Sequence, residues 1–159
     1  MMNTIEKIER AFSEREKPLS LSGAQSIDPE DMQEIRFFQG KQWDELTSEM
    51  LESRDALFYH SSGEAFCYYL PGILTCGIKE NNPHISIYDS IVSSLDRTPN
   101  PDYWDDFFLE RWPKLLRAEL DAVESWVFWL SDYPDWSARE HSLSRTVDTL
   151  SLLQARAGA

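Results

Sequence analysis

SSGEAFCYYLPGILTCGI, running from Ser61 to Ile78, is apolar on nearly every face of a helix once its polar opening is passed. A helix that is hydrophobic all round belongs inside a core, with other helices packed about it. Ser61 and Glu64 have the spacing of a capping box, which sets its start. Pro71 removes one backbone donor from the middle, and Gly72 follows, so the spacing predicts a kink or break there. Reading outward from this stretch gives an all-α chain, a compact single-domain bundle of roughly six to eight helices.

Upstream, Asn3 and Glu6 form another capping box, and Ile5, Ile8 and Phe12 recur at helical spacing. Leu19 to Ile27 reads as a Ser-rich connection. Asp28-Pro29-Glu30-Asp31 has a cap, a proline at the first position and acids at the positive end of the dipole. Gly40 is the natural stop of that helix, and Thr47 caps a short one carrying Met50 and Leu51. Ala56 to Tyr59 is short enough to be extended instead.

Downstream, Ile87, Ile91 and Leu95 mark one amphipathic helix, and Asn100-Pro101-Asp102 opens another carrying Trp104, Phe107, Phe108 and Trp112. Leu116, Leu120, Val123, Val127 and Leu130 lie on one clean face, with Trp126, Trp129 and Tyr133 beside it. Ser137 and Glu140 make a third capping box, before a last helix bearing Leu143, Val147, Leu150 and Leu153.

The 42% apolar fraction is too high for a disordered chain, and 159 residues suit one core spanning residues 1–159. With 15 basic and 28 acidic residues the charge is −13, which repels nucleic acid and anionic lipid and favours basic protein partners. No apolar run approaches a membrane span or a signal peptide, so the expected compartment is the cytoplasm. Cys67 and Cys76 are nine positions apart, about 13 Å along a helix, too far for a disulfide. Both read as buried small hydrophobes, and two cysteines make no zinc framework.

The candidate chemistry is sparse. No phosphate loop, nucleophile elbow or zinc helix occurs, and no cofactor, metal or catalytic residue is implied. Asp102, Asp105, Asp106 and Glu110 are the densest acids, and on a continuous helix Asp102, Asp106 and Glu110 share a face. Trp104 stands among them, and Asp132, Asp135 and Trp136 repeat the association of acids with aromatics. Such sets suit Lys and Arg side chains through charge pairing and cation–π contact. The pattern places Trp104, Phe108 and Trp112 in the core and leaves Trp136 partly exposed.

Three readings follow. The first is a non-catalytic acidic binding protein, an immunity-type inhibitor of a basic toxin or effector, using the acids and aromatics just named. The second is a small-ligand protein or enzyme with a pocket at the Pro71 break, lined by Tyr68, Tyr69 and His60. The third is a homo-oligomer joined through Trp126, Trp129 and Trp136.

Ala11-Phe12, Trp43, the string Tyr68-Tyr69-Leu70-Pro71 and the Leu-rich stretch from Leu116 to Leu130 also carry a resemblance. The chain resembles an uncharacterised family, a domain of unknown function, of small acidic bacterial all-helical proteins with an aromatic-Tyr-Leu-Pro helix. The resemblance spans roughly residues 4 to 133 and leaves a helix over about 137–156 as an addition. It implies a helical domain and brings no assigned catalytic residues.

Overall fold

The computed structural model describes residues 2–22 and 27–157, which form helices joined by turns and loops, with no strand among them. Six helices have eight residues or more: α1 (Thr4–Ala11), α2 (Pro29–Phe38), α5 (Gly63–Lys79), α6 (Ser86–Ser94), α8 (Arg117–Ser131) and α10 (Glu140–Ala157). Single turns fill the gaps between them: α3 (Ser48–Glu52), α4 (Ala56–Tyr59), α7 (Asp106–Leu109) and α9 (Pro134–Ser137). The count of ten exceeds the expected range because prolines and caps cut the chain into these short turns. Ala56 to Tyr59 is one of them, helical and not extended. The expected loop from Leu19 to Ile27 falls partly outside the described residues.

The local signals explain most boundaries. Asn3 and Glu6 exchange backbone bonds at the start of α1, and Asp28 accepts from Glu30 N–H ahead of Pro29. Thr47 caps α3, and Gly40, at φ +85°, turns the chain after α2. The cap of α5 is Ser62, one residue later than expected, accepting from Ala65 N–H at 3.1 Å. Ser61 instead turns its hydroxyl back to the preceding turn, donating to Leu57 O at 2.5 Å. Ser137 likewise donates to Pro134 O at 3.1 Å and closes α9 instead of opening α10.

Every residue from Ala65 to Gly77 is buried, as an all-apolar helix requires. Pro71 lies inside α5 without ending it. Gly72 explains how neighbours come so close: a Cβ there would lie 2.1 Å from Trp43 O. That approach seats the 3-10 turn Trp43–Glu45 directly on the central helix. Around α5, α1 packs against α8, α8 against α10, and α10 against α6. One hydrophobic core results, reaching from Ile8 to Leu153.

The segment expected as one helix from Asp102 to Trp112 is three pieces. A 3-10 turn at Pro101–Tyr103 is followed by α7 and by a second 3-10 turn at Trp112–Lys114. Trp104 is extended (φ −72°, ψ 135°), and its indole N–H reaches Thr98 O at 2.9 Å. Asp105 then caps a new helix by accepting from Phe108 N–H at 2.9 Å. Asp102, Asp106 and Glu110 therefore do not share one helical face, because no continuous helix joins them.

Candidate functional site

The break at Trp104 gives the 102–110 segment its surface. Trp104 turns inward, its ring 4.8 Å from Phe108, while Asp102, Asp105, Asp106 and Glu110 stay in solvent. Tyr103 is 76% exposed and Leu109 41%, so two apolar bodies stand among four acids. Asp105 meets Arg97 at 3.5 Å. The next base in sequence, Arg111, comes to 4.0 Å from Glu110 but turns most of its donors inward. Its guanidinium donates to Ser61 O (2.8 Å), Phe107 O (3.1 Å), Tyr59 O (3.2 Å) and Phe58 O (3.3 Å). It also lies 4.0 Å from the Phe107 ring centre. Burial lowers its pKa, opposed by the charge of Glu110. Arg111 is the main structural residue that sequence reading missed. Its only signal was a single base directly after a run of acids.

The second acid–aromatic set is built differently from its expectation. Trp136 is only 2% exposed, and its indole N–H donates to Pro83 O at 2.8 Å. Pro134 starts the single turn of α9, which folds Trp136 back beneath Arg139, 4.5 Å from the ring centre. Asp132 and Asp135 remain exposed, with Asp135 3.4 Å from His84 Nε2. Arg139, just before α10, covers Trp136, and Arg156, in its last turn, lies 5.5 Å from the Trp104 ring, so the length of α10 separates the two sets. At helical rise they are about 25 Å apart and form separate surfaces. The oligomer face drawn from three tryptophans is not there either. Trp126 and Trp136 are core, with Trp126 stacked edge-on to Tyr88 at 4.9 Å, and Trp129 is half-buried.

At the Pro71 turn, the expected pocket is occupied by packing. Tyr69 is buried, its hydroxyl 2.7 Å from Lys41 O and 2.9 Å from Phe38 O. Burial pushes its phenol up to about 12. Tyr68 is buried beside it, the rings edge-on at 4.9 Å, and Pro71 is buried as well. His60 is exposed and turns to Asp31, 3.3 Å away.

A cleft of about 780 Å³ lies elsewhere, between the end of α1 and the start of α8. Its floor is Glu119, 1% exposed, gripped by Arg15 through Nε at 2.8 Å and a terminal nitrogen at 2.7 Å. Leu116 N–H donates to the same carboxylate at 2.7 Å, so both oxygens are engaged. That bond to Glu119 raises the Arg15 pKa. Cys67, whose charge would be felt by this pair, is pushed up to about 11 by burial. Among the described residues no three His, Cys, Asp or Glu side chains converge as a metal-ligand set. No described helix is long and apolar enough to cross a membrane.

An all-helical chain of one core, with separated acidic surfaces, is the class that this geometry defines. Residues 2–146 match the family of unknown function DUF6714, and the chain belongs to that family. The match takes in everything through the first turns of α10. No curated protein and no solved structure matches the chain.

Proposed function

We propose that this chain is a non-catalytic binding protein, an inhibitor of immunity type that neutralises a basic toxin or effector. One observation carries the reading: Tyr103 and Leu109 stand in solvent among Asp102, Asp105, Asp106 and Glu110, while Arg111 turns its charge inward onto carbonyls. Aromatic and aliphatic bodies ringed by acids suit the stems and heads of Lys and Arg. The overall charge of −13 adds a field that accelerates encounter with a basic protein.

The test is capture from native lysate at low salt, with the wild type and Asp102→Asn/Asp106→Asn/Glu110→Gln side by side, followed by stopped-flow association with the captured protein. The expected partner is basic, is released as salt rises, and associates at least about threefold more slowly with the variant. Equal on-rates for both proteins at every salt concentration would remove this surface from the reading.

A further inference from the structure

Where α8 meets α10, the two helices leave a groove of about 470 Å³ floored by Val127, Phe128, Leu143 and Val147. Phe128 is 55% exposed. A single exposed apolar side chain is ordinary on a protein surface. Its surroundings are less ordinary. Glu124 on α8 lies four residues before Phe128, and Asp132, the C-cap of that helix, lies four after, one turn to either side. Across the groove, Glu140 and Asp148 flank Ser144 at the same spacing, and all three line it.

Two carboxylates, Glu140 and Asp148, thus line the groove beside the exposed ring, and two more, Glu124 and Asp132, stand a turn away from Phe128 at its margins. None of the four pairs with a base among the described residues. The arginines of this region are committed elsewhere, Arg139 to Asp89 and Arg145 to Asp96.

The geometry points to a docking groove for a basic amphipathic helix, one large apolar side chain seated on Phe128 and Val147, with Lys or Arg one turn to either side facing the carboxylates. This is the helix-in-groove mode of recognition, its anchors spaced by turns. Charge decides between occupants. A second copy joined about a two-fold axis would set these four acids against the same four, and like charges facing one another cost several kcal/mol. A basic helix meets each of them with an opposite charge. The inference rests on the reading of the chain as a protein-binding protein and gives that partner a shape.

The experiment uses the full chain, isotopically labelled, titrated with three peptides while amide resonances are followed. One peptide is an amphipathic Leu–Lys helix, one has the same Leu pattern with Glu, and one has Lys and Gly without Leu. Saturable binding of the Leu–Lys helix alone is expected, with shifts centred on Phe128, Leu143 and Val147 and weakening as salt rises. Phe128→Ser should weaken it about tenfold, the loss of one anchor. Glu140→Gln/Asp148→Asn should weaken it about threefold while leaving the folded spectrum intact.

Equal binding of the Leu–Glu helix, shifts centred elsewhere, or self-association that Phe128→Ser abolishes would each overturn the groove assignment. Two variants separate this proposal from the one it rests on. Loss of Leu–Lys binding in Asp102→Asn/Asp106→Asn/Glu110→Gln but not in Phe128→Ser sinks the groove and leaves a binding protein. Loss in Phe128→Ser alone upholds the groove.

Discussion

The hydroxyl of Tyr88 occupies a place in the backbone ladder of α5, where Gly77 N–H donates to it at 3.0 Å. The same hydroxyl lies 2.7 Å from Ile73 O and 3.1 Å from Leu74 O, so a side chain from α6 bridges one turn of the central helix. Gly77 leaves the room, since a Cβ there would lie 2.3 Å from that hydroxyl. The helix then closes through Asn81, at φ 52°, with Asn82 N–H returning to Gly77 O at 2.8 Å.

Tyr88→Phe would leave Gly77 N–H unmet in a buried site, and should destabilise the fold by about 1–3 kcal/mol. Gly77→Ala would force the phenol out and press on Asn82 O, 2.7 Å from the new carbon, at a similar cost of about 1–3 kcal/mol. Because both remove one contact, the double variant should cost less than the sum. Urea midpoints of the four proteins test this, and strict additivity would mean that the hydroxyl is not the coupling element.

Arg15→Ala strips the partner from a carboxylate that is 1% exposed. Loss of one member of a buried pair typically costs about 3–5 kcal/mol, and the lower end applies because Arg15 keeps a quarter of its exposure. Thermal melts should show that loss relieved in part by Arg15→Ala/Glu119→Gln, which removes the stranded charge.

Burial pushes the thiols of Cys67 and Cys76 from an ordinary 9.0 to about 11 and about 12. Between pH 9 and 11 the unfolded chain releases thiol protons that the folded chain keeps, so stability falls as pH rises through that window. Replacing both residues by Ala should make the slope shallower there, whatever it does to stability at neutral pH. Folded protein should also react slowly with a thiol reagent at pH 8 and quickly in denaturant. A slope unchanged by the replacement would contradict the burial argument.

Trp104→Phe and Trp136→Phe each remove an indole N–H bonded to a carbonyl, at 2.9 and 2.8 Å. Each should cost about 1–2 kcal/mol of stability and leave association with a basic partner unchanged. A slower on-rate in either variant, at temperatures where it is fully folded, would return these rings to the binding surface.

How much of this was legible in the sequence depends on whether the signal was local. The caps at Asn3, Asp28 and Thr47 were readable because side chain and backbone partner lie within a few residues. The face of α8 was readable from Leu120 to Leu130, where the period is uninterrupted, but Leu116, placed on the same face, is the N-cap and stands 63% exposed. Ser61 and Ser137 were misread as caps because a hydroxyl that can cap can equally donate to a carbonyl one turn back. The surfaces were harder. Trp136 looked exposed in a Pro-Asp-Trp turn, yet its burial depends on Pro83, more than fifty residues away. The helix pattern across Asp102 to Trp112 was real as composition but failed as geometry, because Trp104 is anchored to Thr98 and Asp105 starts afresh. The α8–α10 groove needs two helices side by side, which no single window of sequence displays.

The grip of Arg15 on Glu119 joins positions 104 residues apart. The eight residues of α1 are too few to hold a helix alone in water. While the chain is being synthesised, α5 offers α1 part of its seat first, but Glu119 on α8 reaches Arg15 only about 5–20 s after it at usual elongation rates. Until then the apolar face of Ile8 and Phe12 is incompletely covered, and Glu6, Lys7, Glu9 and Arg10 flank it with the charges that act as gatekeepers beside such a segment.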